Sequence, residues 1–362
     1  MPSNISLPRE GFTIDFVGSL AWSTILNPLI LIPLVTSYYM LKPGYFTESR
    51  LGGVFGVVIS ALTALSLYLR ITNFLNDKYQ NNWTSDSKWD WEKEIVVITG
   101  GSGGIGAHLA QQLQRGSNPI IVIVDYIPLT WAPLDGRRVF YYKCDLGSSS
   151  QLRDTCQRIR EEVGHPTVLV NNAGISRGVT VCDGSYADVE ATIRINLIAP
   201  FLLVKEFLPE MVRQNHGHIV NVSSMSAYLP PAKMADYAAT KAGLKAFHEA
   251  LQLELKNEYK ADKVRLSLVF LSFTRTPLFK GETNQSNFWL PLLDVDSVSE
   301  EIARVLWGGY GKTIFMPGIF RFVVMMGLGP DWVWRLVREG TGRTRVDFKG
   351  RQKLDPKSGA ML

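Results

Sequence analysis

Ile95-Val-Val-Ile-Thr-Gly-Gly-Ser-Gly-Gly-Ile-Gly106 is a short apolar run that passes directly into a glycine-rich turn, with a helical pattern opening at Ala107. A compact run of branched apolar residues fits a strand buried on both faces. Glycines let the backbone turn sharply and approach a ligand closely. A helix start behind them offers free N–H groups and a favourable dipole to a pyrophosphate. Working outward, Ile120-Ile-Val-Ile-Val124, Val168-Leu-Val170, His218-Ile-Val-Asn-Val222 and the run from Val264 to Phe270 read as further strands. The stretches from Glu190 to Val212 and from Tyr237 to Asn257 read as helices between them.

Strands alternating with helices imply an α/β fold, a doubly wound parallel sheet of the Rossmann type covered on both faces. Asp125 ends the second strand, 19 residues after Gly106. A carboxylate there can accept both ribose hydroxyls of NAD and repels the 2′-phosphate of NADP. Tyr126 is not basic, and no Arg or Lys stands beside the glycines, so NAD(H) is favoured and NADP(H) is left open.

Tyr237-Ala-Ala-Thr-Lys241 lies at the start of the long helix, and a spacing of four places both side chains on one face. A free tyrosine, with a pKa of ~10, is a poor base at neutral pH, and a cationic neighbour is expected to lower that value. Tyr237 would then exchange a proton with a substrate hydroxyl or carbonyl. Thirteen residues upstream, Ser224 stands at the carboxyl end of a strand, where its hydroxyl can hold the reacting oxygen. Alone, a Tyr and Lys four apart are usually surface neighbours; the strand, serine and glycine turn together make the pair catalytic.

These residues resemble the short-chain dehydrogenase/reductase family over roughly residues 94 to 310. The motifs are Thr99-Gly-Gly-Ser-Gly-Gly-Ile-Gly106, Asn171-Asn-Ala-Gly174, Asn196, Ser224 and Tyr237-Ala-Ala-Thr-Lys241. The resemblance implies a catalytic set of Ser224, Tyr237, Lys241 and Asn196. The backbone at Asn196 would hold a water linking Lys241 to solvent. It also implies a cofactor set of Thr99, Gly100, Ser102, Gly104, Ile105, Gly106, Asp125, Asp145, Asn172, Ala173, Gly174, Tyr237, Lys241 and Thr276. In that set Asp145 would contact the adenine ring. One departure stands out: where the family usually shows Pro-Gly after its sixth strand, this chain has Leu271-Ser272, with Thr276 in its usual place.

Pro277-Leu-Phe-Lys280 and Asn287-Phe-Trp-Leu-Pro291 are largely apolar and would cover the substrate, which suits a lipid-like alcohol or ketone. The apolar N-terminus, Met316-Pro-Gly-Ile-Phe-Arg321 and Phe348-Lys-Gly-Arg351 resemble the membrane-bound retinol and 17β-hydroxysteroid dehydrogenase branch. That resemblance implies attachment to endoplasmic reticulum or lipid droplet, and a homodimer stays open. From Ile314 to Leu328 the residues fit either a core helix or a segment dipping into lipid.

Phe16 to Leu41 runs 26 residues without a charge and Leu51 to Leu69 runs 19, each near the ~20 that cross a bilayer core. Asn27, Pro28 and Pro33 predict a kinked, re-entrant or interfacial first segment. Arg9, Glu10 and Asp15 do not make the basic start of a cleaved signal peptide. The expected organisation is a membrane-anchoring segment over 1–70, a polar linker over 71–93, the dehydrogenase domain over 94–310, and an apolar segment with a basic tail over 311–362. Trp83, Trp89 and Trp91 of the linker sit at the headgroup level or pack on the domain.

Cys144, Cys156 and Cys182 cannot build a disulfide framework and read as reduced thiols, which places the catalytic domain on the cytosolic side. Five scattered histidines give no metal-ligand pattern, so no metal is expected. From Arg335 onward eight basic residues face three acidic ones, an excess equal to the whole net charge of +5. That suits an anionic lipid surface or a solvated tail better than nucleic acid. Two functions therefore remain: an oxidoreductase acting on a hydrophobic alcohol or ketone, or a non-catalytic membrane scaffold that binds NAD(H) or lipid. The retention of Ser224, Tyr237 and Lys241 together favours the enzyme.

Overall fold

The computed structural model describes residues 7–40, 50–279 and 283–342. The turn from Lys42 to Glu48, Lys280, and the basic residues from Arg343 to Lys357 lie outside the described residues. Two compact units divide the chain, Met1–Gln80 and Asn81–Leu362.

Among the described residues the first unit holds three helices: α1 (Ile14–Ser23), α2 (Pro28–Met40) and α3 (Arg50–Gln80). The charge-free first stretch is broken, as Asn27 and Pro28 require, and α1 and α2 bend by 50° across the break. Asn27 Oδ1 accepts from the Leu29 N–H at 3.0 Å, which caps the new helix. The second stretch runs well past Leu69. Gly53–Gln80 is a continuous 28-residue helix, long and apolar enough to cross a bilayer, and most of its apolar half is exposed.

In the second unit seven parallel strands run in the order β3-β2-β1-β4-β5-β6-β7. They are β1 (Ile95–Thr99), β2 (Ile120–Asp125), β3 (Val139–Lys143), β4 (Val168–Asn171), β5 (Gly217–Ser224), β6 (Val264–Leu271) and β7 (Thr313–Met316). Along β1, Val97 joins one core while Val96 and Ile98 join the other, so the period of two fills both faces. One face is covered by α4 (Gly104–Gly116) and α9 (Val295–Gly308), through Leu109, Leu113, Ile302 and Leu306. The opposite face receives α5 (Ser149–Glu162), α7 (Ala199–Gln214) and α8 (Ala235–Asn257), through Ile159, Phe207 and Leu251. Strand order reverses between β1 and β4, and a crevice opens there at the carboxyl ends of the strands.

Three sequence expectations change. The helix expected from Glu190 to Val212 is α6 (Tyr186–Ile193), a wide π turn (Arg194–Ile198) and then α7. The run from Ile314 to Leu328 is not one helix: Thr313–Met316 closes the sheet as β7, and α10 (Phe320–Met326) and α11 (Asp331–Gly342) follow. The polar stretch expected to link two parts belongs to the catalytic unit from Asn81 onward. Asn81 accepts from the Gly311 N–H at 2.8 Å and donates to the Gly311 carbonyl at 3.1 Å. The fully buried Arg265 donates to the carbonyls of Asn81 and Thr84 at 3.0 and 2.9 Å. Trp89 and Trp91 stack at 5.5 Å and pack on the core, while Trp83 stays exposed.

Candidate active site

β1 ends at Thr99, whose hydroxyl donates to the Val170 carbonyl and accepts from the N–H groups of Asn172 and Ala173 at 3.0 and 3.1 Å. This ties the first strand to β4 where the order reverses. Gly100 follows in a left-handed conformation with φ of 65°, and a Cβ there would stand 2.9 Å from the Ala173 backbone. A Cβ on Gly106 would meet the Gly100 carbonyl at 2.5 Å. Both positions therefore demand glycine, and the turn is drawn tight against the N-terminus of α4. Asn172 Nδ2 donates to the carbonyls of Thr99 and Gly100 at 2.9 and 3.2 Å, which fixes the turn from the β4 side.

A groove of about 180 Å³ runs along this turn, lined by Gly103, Gly104, Asp125, Asp145, Ala173 and Thr276 among others. Asp125 faces it from the end of β2. Its Oδ2 accepts from the Ser102 N–H at 2.9 Å and its Oδ1 from the Tyr126 N–H at 2.7 Å, so it holds the turn as well as facing the groove. Asp145 Oδ1 accepts from the Gly147 N–H at 2.8 Å. Ser102 is fully buried, its hydroxyl donates to the Ile127 carbonyl at 2.8 Å, and it does not line the groove. The groove continues into a cavity of about 310 Å³, with Ile105, Asn172, Gly174 and Thr276 lining both. A tight glycine turn at a helix N-terminus, a carboxylate after the second strand and an open path to the second cavity fit a dinucleotide.

Ser224, Tyr237 and Lys241 line that second cavity together. Ser224 ends β5, where its hydroxyl donates to the Leu271 carbonyl at 3.4 Å and pulls on the Tyr237 phenol. Tyr237 and Lys241 sit one turn apart on α8, with Lys241 Nζ 5.5 Å from the phenol ring centre. Lys241 Nζ donates to the Val222 carbonyl at 2.8 Å, and Ser223 Oγ donates to the Lys241 carbonyl at 3.1 Å, so strand and helix hold each other in register.

Burial lowers the Lys241 ammonium to about 8. Burial pushes the Tyr237 phenol up to about 12, against the smaller pull of the Ser224 hydrogen bond. The expected lowering of Tyr237 by its cationic neighbour is therefore reversed in this site. Loss of water is the larger effect, and the Lys241 ammonium is aimed at the Val222 carbonyl.

Asn196 lies in the π turn, 1% exposed. Its side chain accepts from the Ile175 N–H and donates to the Ile175 carbonyl, both at 2.8 Å, and also donates to Thr240 Oγ1 at 3.3 Å. One residue thus joins the loop after β4, α8 and the widened helix. A Cβ at Gly174 would stand 3.4 Å from Asn196 Oδ1 and 3.6 Å from Lys241 Nζ, so the glycine fills the space between them. Such wide turns recur at functional sites because they free a local backbone geometry.

Leu271-Ser272 lets β6 continue where Pro-Gly would end it. Leu271 pairs with Ser224 and Met316, and the Ser272 N–H donates to the Met316 carbonyl at 2.9 Å. Ser272 Oγ donates to the Pro291 carbonyl at 3.3 Å, and Thr274 bridges Leu293. The segment that covers the cavity is thereby tied to the strand that carries the site.

The cavity walls are mainly apolar, with Leu229, Met234, Phe279, Trp289, Phe320 and Val323 among them. Met234 came from no sequence motif, and the motif that holds Phe320 did not place it at the site; the fold brings both there. Ser176 and Ser226 also line it, and their buried hydroxyls have no partner among the described residues.

A parallel sheet with a dinucleotide groove at its switch point and a Ser–Tyr–Lys cluster at the end of that groove define a nicotinamide-dependent oxidoreductase. The pattern described as short chain dehydrogenase matches residues 94–287. The dehydrogenase RED2 of Cochliobolus heterostrophus is 36% identical over 261 residues, 68% of this chain and 97% of that protein. This chain belongs to the short-chain dehydrogenase/reductase family.

Human retinol dehydrogenase 10 is 40% identical over 144 residues, 40% of this chain and 42% of that protein. Among solved structures, a metagenomic short-chain oxidoreductase in complex with NADP superposes with a TM-score of 0.50 at 28% identity, over 60% of this chain and 92% of that one.

Proposed function

We propose that this enzyme oxidises or reduces a hydrophobic alcohol or ketone at a membrane, with NAD(H) preferred over NADP(H). The carrying observation is the apolar cavity that ends on Ser224 and Tyr237. A substrate with little to offer but apolar surface and one oxygen fits those walls. Similarity to retinol dehydrogenase 10 supports the same class.

Ser224 holds the reacting oxygen by a hydrogen bond, and Tyr237 exchanges a proton at that oxygen. With Tyr237 at about 12, the ligand-free site at neutral pH holds a neutral phenol, the form that donates to a carbonyl. Alcohol oxidation requires the phenol to shed its proton, and Lys241 beside it favours the phenolate while it remains a cation. The π turn at Asn196 positions backbone for a water that connects Lys241 to solvent. A bound nicotinamide supplies or takes up the hydride. Thr99, Gly100, Gly104, Ile105, Gly106, Asn172, Ala173, Gly174 and Thr276 shape the path that would hold it, and Asp145 would contact its adenine. The charge of Asp125 at the groove disfavours a 2′-phosphate.

The α3 helix provides the membrane attachment. With Cys144, Cys156 and Cys182 unpaired, the catalytic unit faces the cytosol, at endoplasmic reticulum or lipid droplet.

The test uses full-length protein in membranes with retinoids, steroids, long-chain alcohols and polar polyols, read by the change in NADH. Turnover of a lipid-like compound at a kcat/KM far above any polyol is expected. Preference for polyols would overturn the substrate class. NADH binding without turnover of any compound would point to a scaffold.

A further inference from the structure

The C-terminal helices form a wall of the substrate cavity and also carry a large exposed apolar surface. From α10 and its flank, Ile319, Phe320 and Val323 line the cavity, and from α11 Thr341 does. Phe320 is buried, while Phe322, Met325 and Met326 on the same short helix are exposed. Leu328, in the turn between the helices, is 89% exposed, and Trp332 and Leu336, one turn apart on α11, are 65% and 60% exposed. An apolar patch of this kind on a soluble surface marks a contact with a partner or a membrane.

Charge decides between them. Arg321, Arg335 and Arg338 are exposed beside this patch with Asp331 and Glu339, Arg335 pairing with Asp331 at 2.7 Å, and Arg343, Arg345, Lys349, Arg351, Lys353 and Lys357 follow it in the chain against Asp347 and Asp355, so the balance is basic. Apolar side chains flanked by basic ones match the interface of an anionic bilayer, where rings and methionines enter the acyl boundary and guanidinium groups meet phosphates.

We propose that α10 and α11 dock onto an anionic lipid surface as a second membrane contact of the chain, so that one wall of the cavity lies against the bilayer. This deepens the substrate reading above and rests on it only for the purpose of the docking. A lipid-soluble substrate would then pass between bilayer and cavity along these helices without crossing water.

The test uses full-length protein in vesicles of phosphatidylcholine with phosphatidylserine. Cys182→Ser removes the exposed thiol, leaving Cys144 and Cys156 buried. A fluorophore is placed at Leu328→Cys, or at Arg137→Cys as a control. Arg137 is exposed just before β3, at the sheet edge opposite β7. Nitroxide-labelled lipid should quench the Leu328 probe by roughly half or more and the Arg137 probe far less, as expected for a group at the acyl boundary. High salt should reduce that quenching. Trp332→Glu with Leu336→Glu should abolish it while the protein still pellets with membranes.

Equal quenching of the two probes overturns the proposal. So does a Leu328 probe shielded from both lipid nitroxide and aqueous iodide, which would show that protein covers the face, from a second copy or the chain's own tail. Quenching is read without substrate, so a failed substrate panel leaves the docking standing, and failed docking leaves the chemistry standing.

Discussion

Lys241 Nζ donates to the Val222 carbonyl at 2.8 Å, which anchors the cation of the Ser224–Tyr237–Lys241 cluster to the backbone of the strand that ends in Ser224. The ammonium keeps its place through this bond, yet burial lowers it to about 8. Lys241 is therefore charged at neutral pH and loses its charge as pH rises through about 8. The kcat/KM for carbonyl reduction should be level below that pH and fall above it. A profile measured across this range that stays flat well into the alkaline region would remove Lys241's charge from the mechanism.

Asp125 touches both the groove and the glycine turn, through Ser102 and Tyr126. Asp125→Asn keeps an acceptor oxygen for the turn and removes the charge. NAD(H) should give the higher kcat/KM in the wild type, and this variant should narrow the preference. Asp125→Ser with Tyr126→Arg should narrow or reverse it. A wild type that prefers NADP(H) in steady-state assays would contradict the role given to this carboxylate.

Much of the fold was legible because β1, β2, β4, β5 and β6 are short branched runs buried on both faces, and the glycine turn and the Tyr–Lys spacing are local patterns. Long-range effects stayed hidden. Val139–Lys143 forms β3 although it mixes two tyrosines with a lysine, and its place comes from pairing with β2. The π turn at Asn196 escapes a reading that assumes a single helical period. The residues after Gln80 looked like linker because they are polar, but their partners, Gly311 and Arg265, lie far along the chain. The raised pKa of Tyr237 comes from burial in a cavity whose far walls, such as Phe320, are brought to it only by the fold.

That polar stretch gives a stability prediction. A chain beginning at Asn81 should fold and keep the Arg265 contacts. A chain beginning at Glu94 leaves Arg265 buried without the Asn81 and Thr84 carbonyls, and should lose about 3 kcal/mol or more in urea unfolding. Equal unfolding midpoints for the two truncations would mean that the segment is dispensable.

Ser272 ties the cavity cover to β6 through Pro291. Ser272→Gly restores the residue common in the family and removes the bond. Loss of one hydrogen bond of about 1 kcal/mol should raise KM roughly five-fold with kcat little changed. Unchanged KM would show that the backbone bridge from Thr274 to Leu293 holds the cover alone.

The most direct test of the account is Tyr237→Phe in the full-length protein, assayed for cofactor-linked turnover alongside NADH binding. The variant keeps the ring and removes only the hydroxyl that exchanges the proton. Turnover should fall at least ~100-fold, the scale of lost general acid–base catalysis, while NADH affinity stays near that of the wild type. A variant that retains half the wild-type turnover would contradict the central claim that Tyr237 carries the proton.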